Sequence, residues 1–247
     1  TNIAVDGLEL VGATGLPIKG RMSVGALLSG PDLLPSGKLH LYDLDCNGMP
    51  IRDGYVLFST DENKNVTYNG EIASGSLTLR GASGLSGEDP FRFLWKVSDF
   101  PAHMLYPETV NGASIESLVS GQVTVVGGGE KDFSVKGVFN KFFTSWEDVK
   151  LQTIKPWTVL YSDNDLSIDG FRMVDDAQSN FTIKGRRTVD GNLDFNARGL
   201  LDMHLLEAII PGLNRSSGSL RLRSSLRGTL DSPIIQINLN MQEGYLS

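Results

Sequence analysis

One cysteine, three histidines and no long apolar run leave this 247-residue chain few routes to chemistry. Cys46 alone allows neither an internal disulfide nor a cysteine-based metal cage. Its neighbours Asn47-Gly48 mark a turn, not the setting of an activated thiol. His40, His103 and His204 lie far apart and in different expected elements, so each reads as an ordinary histidine and not as a ligand or general base. There is no Gly-x-Ser-x-Gly elbow to present a nucleophile. Gly127-Gly128-Gly129 lacks the Gly-Lys-Ser/Thr ending of a phosphate cradle and runs into Glu130, which repels phosphate; it reads as a hairpin loop. Asp61-Glu62-Asn63 and Asp163-Asn164-Asp165 have the oxygen density of a calcium loop without its Gly and distal Glu, and read as solvated turns. No cofactor, no metal and no enzymatic activity are expected.

Positive charge is also in short supply. The formal net charge is −7, and no run of Lys and Arg forms a stripe along the chain. Nucleic acid is therefore not an expected partner, and adsorption to an anionic membrane surface is disfavoured on the same ground. No stretch reaches the ~18 apolar residues of a spanning helix.

Glycine is abundant, 28 of 247 residues or about 11% against the usual ~7%. Five of these glycines belong to a recurring phrase, Ser-Gly-x followed by apolar, polar, apolar. It reads Ser36-Gly37-Lys38-Leu39-His40-Leu41, Ser74-Gly75-Ser76-Leu77-Thr78-Leu79, Ser120-Gly121-Gln122-Val123-Thr124-Val125 and Ser217-Gly218-Ser219-Leu220-Arg221-Leu222, with a looser copy at Asp190-Gly191-Asn192-Leu193-Asp194-Phe195. Each copy is expected to place a turn before a strand. Alternation elsewhere is as clear. Ile235, Ile237, Leu239 and Met241 interleave with polar residues, Phe91, Phe93 and Trp95 do so with Arg92 and Lys96, and Phe181 and Ile183 flank Thr182. A period of two belongs to strands with one apolar and one wet face. Asp53-Gly54, Asn69-Gly70, Asn111-Gly112, Asp169-Gly170 and Asp190-Gly191 are turn signals that imply antiparallel hairpins. Two stretches depart from the pattern: Leu201 to Ile210, with Asp202 as cap and Pro211-Gly212 as stop, predicts a short helix, and Ser114 to Val119 a second. Irregular distances between the Ser-Gly copies exclude a solenoid of fixed rung length.

The expected architecture is all-β: an elongated, curled antiparallel sheet with one or two short helices, spanning residues 1–247 as one continuous repetitive domain. Both ends read as cut from something longer. The apolar alternation set is Leu39, Leu41, Leu77, Leu79, Phe91, Phe93, Trp95, Val123, Val125, Phe181, Ile183, Leu193, Phe195, Leu220, Leu222, Ile235, Ile237, Leu239 and Met241. Periodicity alone leaves two homes for it, the core of a β-sandwich or the floor of an open greasy channel.

Residues 166–247 carry a resemblance that favours the channel. Leu226-Arg227-Gly228-Thr229-Leu230-Asp231-Ser232-Pro233-Ile234, preceded by Gly218-Ser219-Leu220-Arg221-Leu222, is similar to the recurring Gly-Thr-Leu-x-x-Pro phrase of the TamB branch of the AsmA-like family. Leu200-Leu201-Asp202-Met203-His204-Leu205-Leu206 to Pro211-Gly212-Leu213 resembles the short helical plug before that phrase. Upstream the likeness is one of rhythm, at Trp95-Lys96-Val97-Ser98-Asp99-Phe100-Pro101 and Val119 to Val125. The resemblance implies a U-shaped trough, a β-taco, in a periplasmic protein anchored in the inner membrane by a segment not present here. It further implies that the trough shields phospholipid acyl chains on their way between membranes, together with an outer-membrane β-barrel partner of the TamA type. The nineteen alternation residues are then the lipid groove. Two other functions fit an all-β chain without catalysis: a scaffold for assembling outer-membrane proteins through sheet edges, and an extracellular β-sandwich module for carbohydrate.

Overall fold

The computed structural model describes residues 2–5, 10–11, 17–46, 49–86, 88–105, 109–110, 113–129, 131–146, 149–175, 179–203 and 216–246. These are almost all strand, the strands pair antiparallel, and no α-helix occurs among them. The all-β antiparallel class is as the alternation requires. The sequence reads as one continuous domain; its contacts gather into two units. Unit 1 holds residues 1–100, 104–106 and 122–134, and unit 2 holds 101–103, 107–121 and 135–247.

Unit 1 contains β1 (Asn2–Val5), β2 (Leu10–Val11), β3 (Pro17–Ser29), β4 (Leu34–Cys46), β5 (Met49–Ile51), β6 (Gly54–Thr60), β7 (Asn65–Ile72), β8 (Leu77–Gly84) and nearly all of β9 (Phe91–Pro101). After a 3-10 turn at Ala102–Leu105 come β10 (Thr109–Val110), β11 (Ala113–Gly128) and β12 (Lys131–Trp146); β11 and β12 contribute residues to each unit. Unit 2 continues with β13 (Val149–Thr153), β14 (Trp157–Ser162), β15 (Asp165–Val174), β16 (Asn180–Arg187), β17 (Leu193–Asp202), β18 (Ser216–Gly228) and β19 (Pro233–Leu246). Pro17 and Pro233 open β3 and β19 and Pro101 closes β9, positions where a missing N–H costs least.

The connections show where turn chemistry held. Asp163 and Asn164, with φ of 50° and 64°, make the two-residue turn between β14 and β15. Asp61 closes the β6–β7 turn by accepting the Asn63 and Asn65 N–H groups at 2.9 and 2.8 Å. Gly128 and Gly129, both at positive φ, make the β11–β12 hairpin loop.

The Ser-Gly phrase, by contrast, is not one structural element. Gly75 and Gly191 are turn residues at positive φ. Gly218 sits in β18 at φ 102° where the register to β19 slips. Gly37 and Gly121 lie inside β4 and β11. The turn signal at Asn69-Gly70 fails too, since both residues are in the middle of β7, and Asp169-Gly170 is a bulge inside β15. Asn111-Gly112 lies outside the described residues. The strand-interior glycines serve close approach. A Cβ on Gly70 would stand 2.9 Å from the Val56 Cα, where cross-strand neighbours ordinarily keep Cβ atoms about 4.5–5.5 Å apart.

The predicted helix at Ser114 to Val119 needs correction, and the one at Leu201 to Ile210 is described only at its start. Ser114 to Val119 belongs to β11. Its β-branched Ile115 and Val119 favour a strand, and Ser117, fully buried, donates from N–H to the His103 Nδ1 at 3.2 Å and from Oγ to Thr144 at 3.0 Å. Leu201 and Asp202 end β17, paired with Leu220 and Ser219; residues 204–210 of that prediction lie outside the described residues. The 3-10 turn after β9 was not foreseen.

Candidate functional site

Register gathers the alternation residues onto one face of each unit. In unit 1 the pairings run Val24–Leu39–Val56–Gly70–Leu79–Trp95 from β3 to β9. The next row is Ala26–Gly37–Phe58–Tyr68–Gly81–Phe93. Five strand spacings make each row about 24 Å long. Leu41, Leu77 and Phe91 fall on the same face, opposite Gly54, Val97 and Ser83. Glycines on this face let neighbouring backbones and rings close in: the Phe93 Cε1 lies 2.9 Å from where a Gly81 Cβ would be.

The result is an apolar groove of about 500 Å³ in unit 1, within the range of ligand sites. Leu39, Leu79, Phe93, Trp95 and Val125 line it, as do Val24, Val56, Phe58 and Tyr68, which sequence reasoning missed. Tyr68 and Phe93 rings meet at 5.3 Å between centroids, Phe91 and Phe93 at 5.6 Å. Val123 shares the face parity of Val125 in β11 but does not line the groove.

In unit 2 the rows are Phe171–Ile183–Ala197–Ser224–Ile237 and Met173–Phe181–Gly199–Leu222–Leu239 across β15 to β19. Leu193, Phe195, Leu220, Ile235 and Met241 complete the face. It extends to an aromatic cluster the sequence did not single out: Phe139 stacks on Trp157 at 4.5 Å, and Trp157 meets Phe171 edge-on at 5.0 Å.

The degree of burial decides between core and open face. Of the nineteen alternation residues only Leu79, Leu193 and Leu220 are buried; twelve are half-buried. Ile235, Ile237, Leu239 and Met241 on β19 stay 49–61% exposed. Only the β19 strip of this set is open to water, and the polar residues between, Gln236, Asn238 and Asn240, are exposed as well.

Among the described residues no group of three or more His, Cys, Asp or Glu gathers as a metal site. His40 is exposed beside the Tyr42 ring, and His103 is tied to Ser117; His204 lies outside the described residues. The Asn65 backbone N–H, then the Asn65 side chain, hold the Asp61 carboxyl below its ordinary 3.8. It is a turn clamp, not an acid–base group.

No family model matches the chain, and neither a curated protein nor a solved structure does.

Proposed function

We propose that this chain is a segment of a bridge-like lipid carrier, in which the apolar faces of β3–β9 and β15–β19 hold phospholipid acyl chains out of water. One observation supports this above the rest: a groove of about 500 Å³ in unit 1 with an almost wholly apolar lining, most of whose side chains are only half-buried. Half of a bilayer's hydrocarbon core is about 15 Å deep, so a 24 Å row is long enough to lie along one acyl chain. Exposing a methylene to water costs about 0.8 kcal/mol, so a lipid with some thirty methylenes faces of order 20 kcal/mol when it crosses an aqueous gap. A continuous apolar face offsets most of that without any catalytic group. In this reading the protein works in the periplasm of a Gram-negative envelope, held at the inner membrane by another segment and meeting a β-barrel partner at the outer one. That setting rests on the likeness of residues 166–247 to the TamB branch.

Photocrosslinkers at Phe93, Leu222 and Ile237, with Lys96 on the polar face as control, test the reading in cells. Phospholipid adducts from the three apolar positions and none from Lys96 are expected. Adducts to unfolded barrel polypeptide instead would favour the scaffold, and the absence of lipid at all three would defeat the lipid reading.

A further inference from the structure

The opposite, polar face of unit 2 is not neutral. Its exposed cations are scattered in sequence, so no stripe is visible along the chain; register collects them. Arg172 lies opposite Thr182, Thr182 opposite Arg198, and Arg198 opposite Arg223, a row across β15 to β18. Lys184 is two residues from Thr182 on β16 and Arg221 two residues from Arg223 on β18, on the same face. All five are exposed, and among the described residues none makes an ion pair. Three strand spacings make the row about 14 Å long, and two-residue steps along the strands widen it by about 7 Å to either side. Asp169 borders it beside Arg172, while Asp194 is already flanked in register by Arg186 and Arg227. With the exposed Arg186 and Arg227 the face holds seven cations against Asp169, Asp194 and Asp202, a local reversal of sign in a chain of net charge −7.

Arg198 directly opposite Arg223 is unfavourable in an isolated sheet, because like charges in register repel. An anion between them removes the repulsion, and the guanidinium fork suits phosphate. The face offers two shallow depressions for such groups, about 310 Å³ beside Arg172, Lys184 and Arg198 and about 430 Å³ beside Arg221 and Arg223.

We propose that this face docks on the surface of an anionic phospholipid bilayer, its five cations lying among headgroup phosphates. Two features favour a membrane over a nucleic acid. The charges form a two-dimensional patch and not a line that a strand could follow. No aromatic side chain stands on the polar face of β15–β18 to stack a base. The proposal concerns the face opposite the acyl-chain site and does not depend on that site.

Vesicle flotation of the full 247-residue chain tests it, with phosphatidylcholine vesicles against vesicles containing a third phosphatidylglycerol. Stronger binding to the anionic vesicles is expected, lost in high salt. The double variant Arg198→Gln/Arg223→Gln is expected to weaken it about 30-fold, at roughly fivefold per cation removed, while Arg92→Gln/Lys96→Gln on the polar face of unit 1 leaves it unchanged. Circular dichroism verifies that both variants keep their strands. Equal binding to both vesicle types, no effect of Arg198→Gln/Arg223→Gln, or equal retention on polyglutamate would overturn the proposal. Lipid adducts from Phe93 are indifferent to these substitutions, so the two readings can fail separately.

Discussion

Leu220 and Ile237 share one face of the β18–β19 hairpin, yet they have opposite surroundings. Leu220 is 7% exposed and Ile237 60%. Fully burying an aliphatic side chain contributes about 1.5–3 kcal/mol. Ile237 keeps less than half of its surface covered, so Ile237→Ala should cost only about 0.6–1.2 kcal/mol. For Leu220→Ala the loss of nearly full burial is joined by the cavity left behind, and about 2–5 kcal/mol is expected. At roughly 2–4 °C per kcal/mol for a chain of this size, Tm should fall by about 1–5 °C for Ile237→Ala and about 4–20 °C for Leu220→Ala. Ile237→Arg should be no worse than the alanine, since the methylene stem can lie along the apolar face with its charge in water. Differential scanning calorimetry of the three variants against the parent chain measures this. Were Ile237→Ala to cost as much as Leu220→Ala, or Ile237→Arg to unfold the chain, the β19 face would be a closed core. The open-face reasoning would then fall, and the acyl-chain reading with it.

Gly70→Ala should lower Tm by about 2–12 °C, because its Cβ meets the Val56 backbone and one strand must shift, an overpacking cost of about 1–3 kcal/mol; an unchanged Tm would show that the strands do not approach so closely. Asp61→Ala should lower the urea midpoint at neutral pH. The folded carboxyl titrates below its ordinary 3.8, so its contribution is complete above that value and fades as pH falls through the folded pKa. The gap between parent and variant should therefore close under acid, and a gap that persists unchanged at the lowest pH would contradict the turn clamp.

The strand class and the two-faced character of the chain were legible because they depend on a period of two, which each strand carries in its own sequence. The alternation residues of β4, β8 and β9 share one face of unit 1, and those of β16 to β19 share one face of unit 2. Half of the groove wall was not legible. Val56 and Phe58 sit in Tyr55-Val56-Leu57-Phe58, where an unbroken apolar run hides the period, and Tyr68 is followed by Gly70, whose missing side chain erases the next beat. The glycines misled for a related reason. The same residue type provides positive φ at Gly75 and Gly191 and close approach at Gly37, Gly70 and Gly121, and a dipeptide cannot say which is needed. Ser114 to Val119 was taken for a helix because short apolar spacing is ambiguous, whereas the polar anchor that fixes it as a strand, Ser117 to Thr144, is 27 residues away.

Charge was misjudged for want of a second dimension. Along the chain, Arg172, Lys184, Arg198, Arg221 and Arg223 are separated by 12, 14, 23 and 2 residues, and no window contains enough of them to stand out. Strand pairing puts Arg198 one step of about 4.8 Å from Arg223, shorter than the Debye length of about 8 Å at physiological salt, and Arg172 two steps from Arg198. Charges independent in sequence thus act on one another in the folded sheet. The exclusion of anionic surfaces drawn from composition is a statement about the chain as a whole, whereas the proposed docking concerns this face alone. If both proposals hold, one antiparallel sheet meets phospholipid tails on one surface and headgroups on the other.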